Sequence, residues 1–120
     1  MKTFFASLTV FLFLITIIIS NYFYVNHTAS VLSEMIASLP NCEDAEAQTE
    51  ALLAYWSREE GCLGLSIPFE ELQQAANIFL ELHHAAREKN SYEFEKYRLL
   101  AKNAVDDLRR LEAFKINNLL

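Results

Sequence analysis

Cys42, Cys62, His83 and His84 are the residues best suited to do chemistry in this 120-residue chain. Two thiols in an oxidising compartment invite a disulfide, but their spacing argues against one. If residues 41–60 form a single helix, the thiols lie at its two ends. That separates them by about 30 Å at 1.5 Å per residue, and a disulfide needs Cα atoms within about 7 Å. Either that helix is broken, or the thiols are free, or they pair between chains. Free cysteines that fill space are the favoured reading. No Cys-x-x-Cys motif is present, so the usual signature of thiol redox catalysis is missing.

Glu81-Leu82-His83-His84 contains Glu-x-x-His, the spacing with which di-iron bundles present two ligands from one helix. Such a centre needs a second Glu-x-x-His and two more carboxylates. The one other histidine is His27, far away in sequence. His83 therefore reads as a partly buried residue on a packing stripe. His84 reads as solvated, within reach of Glu88 one turn on. The two glycines flank Cys62 and Leu63, so no phosphate-binding loop exists. Asp106-Asp107 and Glu70-Glu71 are sequence neighbours, about 100° apart on a helix, and read as solvated faces and caps. The single Trp56 is expected in the core. Asn26-His27-Thr28 matches a glycosylation sequon but would sit almost at a membrane surface. The sequence thus nominates no catalytic, cofactor-binding or metal-ligating residue. The expected class is non-enzymatic, since an enzyme would need a cleft gathering His83 or Cys62 with a carboxylate.

The element that positions everything else is residues 4–25, which carry no charged side chain. Residues 4–19 include 12 of the Leu/Ile/Val/Phe type, favouring bilayer insertion by roughly 4–7 kcal/mol. As one helix, residues 4–25 rise about 33 Å, enough for the ~30 Å hydrocarbon core. Tyr22, Phe23 and Tyr24 then fall at the far interface, where aromatic rings are favoured. A cleaved signal peptide would have a shorter apolar core followed by a small-x-small site, and Ser20-Asn21-Tyr22 offers none. Leu39-Pro40-Asn41-Cys42 has lipoprotein-like spacing but lies too far beyond the apolar run. A retained anchor (residues 1–25) is expected. Lys2 precedes it, and no Lys or Arg follows until Arg58. The positive-inside rule therefore predicts a cytoplasmic N-terminus and an extracytoplasmic remainder.

Ala29, Leu32, Ile36 and Leu39, with Met35 beside them, predict that the helix continues as a stalk (residues 26–40) until Pro40 stops it. Residues 41–120 then form the soluble part. Asn41 is placed as an N-cap, followed by a helix to Glu60 with Thr49, Leu52 and Trp56 on one face. Gly61 ends it, and residues 61–67 form an unusually apolar loop. Pro68 opens a third helix with Phe69, Leu72, Ala76, Phe79, His83 and Ala86 in its stripe. Asn90 and Glu93 suggest a capping box for a fourth helix, whose stripe is Phe94, Tyr97, Ala101, Ala104, Leu108 and Leu111. The third and fourth helices should form an antiparallel hairpin, with Trp56 covering its open side. The expected fold is all-α: a transmembrane helix continuing into a stalk, then a small antiparallel three- to four-helix bundle.

Charge is unevenly divided. Residues 34–81 carry ten acids and one base, whereas residues 87–115 carry eight bases and six acids. Side by side, these segments would complement each other internally. The sharper reading is an acidic docking or cation-attracting face. A net charge of −6 with no basic stripe argues against nucleic acid as a partner.

The layout resembles the domain-of-unknown-function 4363 family, small single-pass proteins of Gram-positive bacteria. The likeness lies in the charge-poor anchor, the helix carrying Trp56, and the run Ile67-Pro68-Phe69-Glu70-Glu71-Leu72. It extends to the tail Leu111-Glu112-Ala113-Phe114-Lys115-Ile116-Asn117-Asn118-Leu119-Leu120. The Gly-Cys-Leu-Gly loop departs from it. The resemblance implies a Gram-positive source and transfers no catalytic residue; the apolar anchor itself leads to the expected cell-membrane location. The expected function is a membrane-anchored helical module that binds a membrane or envelope protein, or associates with itself. The alternative is a sensor holding a small ligand or cation between its helices near Trp56 and Phe79.

Overall fold

Residues 2–39 contain no proline and no glycine, so nothing in them interrupts a helix. The computed structural model describes residues 1–119. Its elements are α1 (Lys2–Ala37), a 3-10 turn (Cys42–Asp44), α2 (Glu46–Leu63), α3 (Phe69–Arg87) and α4 (Ser91–Leu119). The described residues include no strand. Leu120, the last residue of the tail quoted above, lies outside them. The molecule is a rod of 67 × 22 × 22 Å.

α1 is long and apolar enough to cross a membrane, by length and composition. None of its first 20 residues is buried. Within this stretch Thr9 Oγ1 donates to the Phe5 carbonyl at 2.8 Å and Thr16 Oγ1 to the Leu12 carbonyl at 2.9 Å. Both hydroxyls are thus satisfied by the helix itself, as an apolar surrounding requires.

The second part of α1 behaves differently. Val25, Thr28, Ala29, Leu32 and Ile36 are buried. The stripe foreseen in residues 29–36 is real, but these residues are no spacer below the other helices. They form one wall of the core. The 3.6-residue period places them on one side, and α4 and α2 cover that side. Arg109 Nη2 donates to Ser30 Oγ at 2.9 Å, and Arg98 Nη2 donates to the Ala37 carbonyl at 3.2 Å.

Several boundaries differ from the sequence expectation. Asn41 does not cap the second helix; it precedes the 3-10 turn and makes no side-chain cap bond. The turn buries Cys42, and α2 begins only after Ala45. Gly61 does not end α2, which runs on to Leu63. Its φ is not positive, so it continues the helix, and burial of Leu63 draws the last turn into the core. Pro68 precedes α3 as its N-cap rather than occupying its first turn. Phe69 is left 72% exposed instead of opening the packing stripe.

Between α3 and α4 the chain turns at Lys89, which has φ 57°. Asn90 N donates to the Ala85 carbonyl at 3.0 Å and Lys89 N to the Ala86 carbonyl at 3.2 Å. This pair of bonds is a Schellman motif, which needs one left-handed residue. Half of the foreseen capping box forms: Asn90 Oδ1 accepts from Glu93 N at 3.2 Å.

The core is filled by Trp56 and Phe79, whose rings meet edge to face at 5.1 Å, together with Phe94, Leu52, Leu82 and Val105. On α4 the inner positions are Phe94, Ala101, Val105, Leu108 and Glu112. The expected Ala104 and Leu111 lie off this line. Leu111 is 37% exposed, whereas Glu112 is 3% exposed.

Candidate functional site

The most polar part of the interior lies where α1 leaves the other helices. The inner line of Ala101, Val105 and Leu108 continues at the helix period to Glu112 rather than to Leu111, and a donor on α1 meets its carboxylate. Asn21 Nδ2 donates to Glu112 Oε1 at 3.3 Å. One turn further along α1, the Tyr24 hydroxyl donates to the Glu59 carboxylate of α2. Lys115 Nζ donates to the Ser66 carbonyl at 2.6 Å, tying the end of α4 to the loop after α2. Three elements are therefore pinned to α1 or to one another at this end, which we call the underside.

Beside these contacts runs a shallow groove of about 380 Å³ lined by Thr16, Ile17, Ser20, Asn21, Tyr24, Cys62 and Leu65. Leu65, from the apolar loop flagged in the sequence, is 84% exposed here. Phe114 on α4 is 67% exposed.

The two cysteines are separate and unpaired. Cys42 is a filling residue: it is buried, and its Sγ donates to the Ala85 carbonyl at 3.6 Å. Burial pushes its thiol up, with the nearby negative charges of Glu43 and Glu95 adding to the effect. Cys62 is exposed and fills nothing.

His83 is half-buried, and its Nδ1 lies 2.9 Å from Thr49 Oγ1, which links α3 to α2. Thr49 Oγ1 also lies 2.9 Å from the Ala45 and Glu46 carbonyls. His84 is exposed and shares a surface cleft of about 220 Å³ with Glu81, Glu88, Asn90, Glu93 and Tyr97. Among the described residues, no group of three His, Cys, Asp or Glu side chains could hold a metal ion. Asp106-Asp107 and Glu70-Glu71 are not brought together with any histidine.

Charge is arranged otherwise than expected from internal complementarity. The ion pairs among the described residues are Arg58–Glu59 at 3.8 Å, Arg98–Glu95 at 3.9 Å and Arg110–Asp107 at 3.2 Å. Each lies within a single helix. Glu43, Asp44, Glu46, Glu50, Glu70 and Glu81 are exposed without a cationic partner. These acids of the 3-10 turn, α2 and α3 thus remain an open negative surface, because no base of α4 forms an ion pair with them.

The place foreseen for a small ligand is occupied by protein. Trp56 is 2% exposed and Phe79 0%, and their rings are in contact. Sequence reasoning missed Asn21, Tyr24, Glu59 and Glu112. The available signal was a polar residue falling on an apolar helical line, Asn21 on α1 and Glu112 on α4. No family model, no curated protein and no solved structure matches this chain.

Proposed function

We propose that this protein is a single-pass, membrane-anchored, non-enzymatic helical module that docks a membrane or envelope protein outside the cytoplasm. α1 is its anchor, with the N-terminus in the cytoplasm. Residues 21–119 form an antiparallel four-helix bundle in which α1 itself takes part. The order of contacts supports this arrangement. Residues 21, 30 and 37 of α1 meet residues 112, 109 and 98 of α4, so the two chains run in opposite directions. Membership of the 4363 family belongs to the same proposal and rests on the residues quoted for it.

The observation that carries the docking role is the open acidic surface of α2 and α3. Charges left unpaired within a molecule steer association and select a partner of opposite sign. The partner's contact surface is therefore basic. Crosslinking and pull-down from native membranes tests this. The expected result is a partner recovered at low salt, and lost at high salt or with Glu46→Lys and Glu50→Lys together. Recovery only as an unpartnered monomer overturns it.

A further inference from the structure

We infer that the underside of the helical body, built from Cys62, Leu65, Phe69 and Phe114, rests in the lipid of the leaflet it faces, at the boundary between headgroups and acyl chains. This inference rests on the single-pass reading above.

It begins with lengths. A hydrocarbon core of ~30 Å takes about 20 residues of helix. Counted from Phe4, the first residue after the polar Lys2-Thr3 start, the core ends near Phe23. The stretch of α1 free of other helices is shorter. Asn21 already touches Glu112, and Thr16, Ile17 and Ser20 already line the groove shared with Cys62 and Leu65. Residues 4–19 alone rise about 24 Å, some 6 Å short of the core. The anchor cannot cross the bilayer while holding the helical body clear of it. Residues 16–20 stand roughly 5–10 Å inside the far boundary, the depth at which interfacial apolar side chains lie.

The chemistry at that level agrees. Large apolar side chains face outward: Leu65 is 84% exposed, Phe69 72% and Phe114 67%, with the polar Glu70, Lys115, Asn117 and Asn118 exposed beside them. The Glu112 carboxylate, brought to the level of Asn21, is turned inward, 3% exposed, and hydrogen-bonded. A bare carboxylate there would be costly. Lys115 directs its ammonium to the Ser66 carbonyl, leaving its alkyl stem for the interface.

The test uses the full chain in dioleoylphosphatidylcholine vesicles. A nitroxide is placed on native Cys62 in a Cys42→Ala background. Parallel samples carry it at Leu65→Cys, Ile17→Cys or Gln48→Cys, with both native cysteines replaced. Collision with oxygen, which partitions into lipid, is compared with collision with a water-soluble nickel chelate. Labels at positions 62, 65 and 17 are expected to favour oxygen, and the label at position 48 to favour nickel. Leu65→Asp is expected to shift the label on Cys62 towards nickel. If position 17 favours oxygen while 62 and 65 favour nickel, the underside stands in water, and the inference fails with the anchor intact. If position 17 itself favours nickel, the anchor reading fails as well. Spin–spin broadening at position 62 that disappears on dilution with unlabelled protein would mean that a second copy covers this surface, and would overturn the inference.

Discussion

At the scale of single residues, the interior holds few polar groups, and Thr49 and Glu112 each join one helix to another. Thr49 and His83 join α2 to α3 at 2.9 Å. Thr49→Val leaves the half-buried imidazole nitrogen without that partner. The expected loss is about 1–2 kcal/mol of unfolding free energy by urea titration in detergent. Cys42 provides a pH dependence. Its folded thiol is raised by burial, so the unfolded chain gives up that proton first, near pH 8.5. Below that pH both states keep the proton and the thiol adds no slope. Above it the unfolded state binds fewer protons, and stability falls as pH rises. Cys42→Ala removes this slope, and the difference between the two proteins, followed by thermal unfolding from pH 7 to 9.5, isolates it.

At the scale of elements, α1 is two helices in one. None of its first 20 residues is buried, whereas Val25, Thr28, Ala29, Leu32 and Ile36 of its second part are. Leu32 is 0% exposed, so Leu32→Ala is expected to lower stability by about 2–5 kcal/mol. A spacer outside the core would lose almost nothing, so equilibrium unfolding in detergent separates the two descriptions. The α3–α4 connection carries strain at Lys89, whose φ of 57° suits glycine better. Lys89→Gly is expected to stabilise the protein by about 1 kcal/mol, seen as a higher melting temperature. The left-handed turn was not legible in Lys89-Asn90-Ser91, because lysine is no signal for it. The N-cap at Asn90 was legible, since Asn followed three residues later by Glu is a local pattern.

At the scale of the whole molecule, an uninterrupted α1 couples the apolar stretch rigidly to the helical body. Removing residues 1–20 takes away only side chains that pack on nothing buried. The remaining chain is expected to unfold in one cooperative transition by circular dichroism. Removing residues 1–37 strips the core of Val25, Ala29, Leu32 and Ile36, and that chain is expected to lose the transition. Both outcomes belong to the molecule as a whole, because α4 and α2 each use α1 as a wall.

Much of this was readable in the sequence. Helix content, the apolar span and the inward lines through Leu32, Trp56, Phe79 and Phe94 follow from period, composition and spacing, which are local properties. What depended on tertiary structure was partnership. Residues 26–37 carry the same stripe whether they stand alone or pack, and only the presence of α4 and α2 makes them core. Glu112 falls on the inner line with Ala101, Val105 and Leu108, and only the fold shows that Asn21, 91 positions away in the chain, meets it with a donor. The acids of α2 and α3 remain open because no base of α4 forms an ion pair with them, and no linear count of charges reveals a pairing. Sequence periodicity determined which side of each helix is apolar; the fold decided what that side meets, because a contact is a property of two elements and a stripe is a property of one.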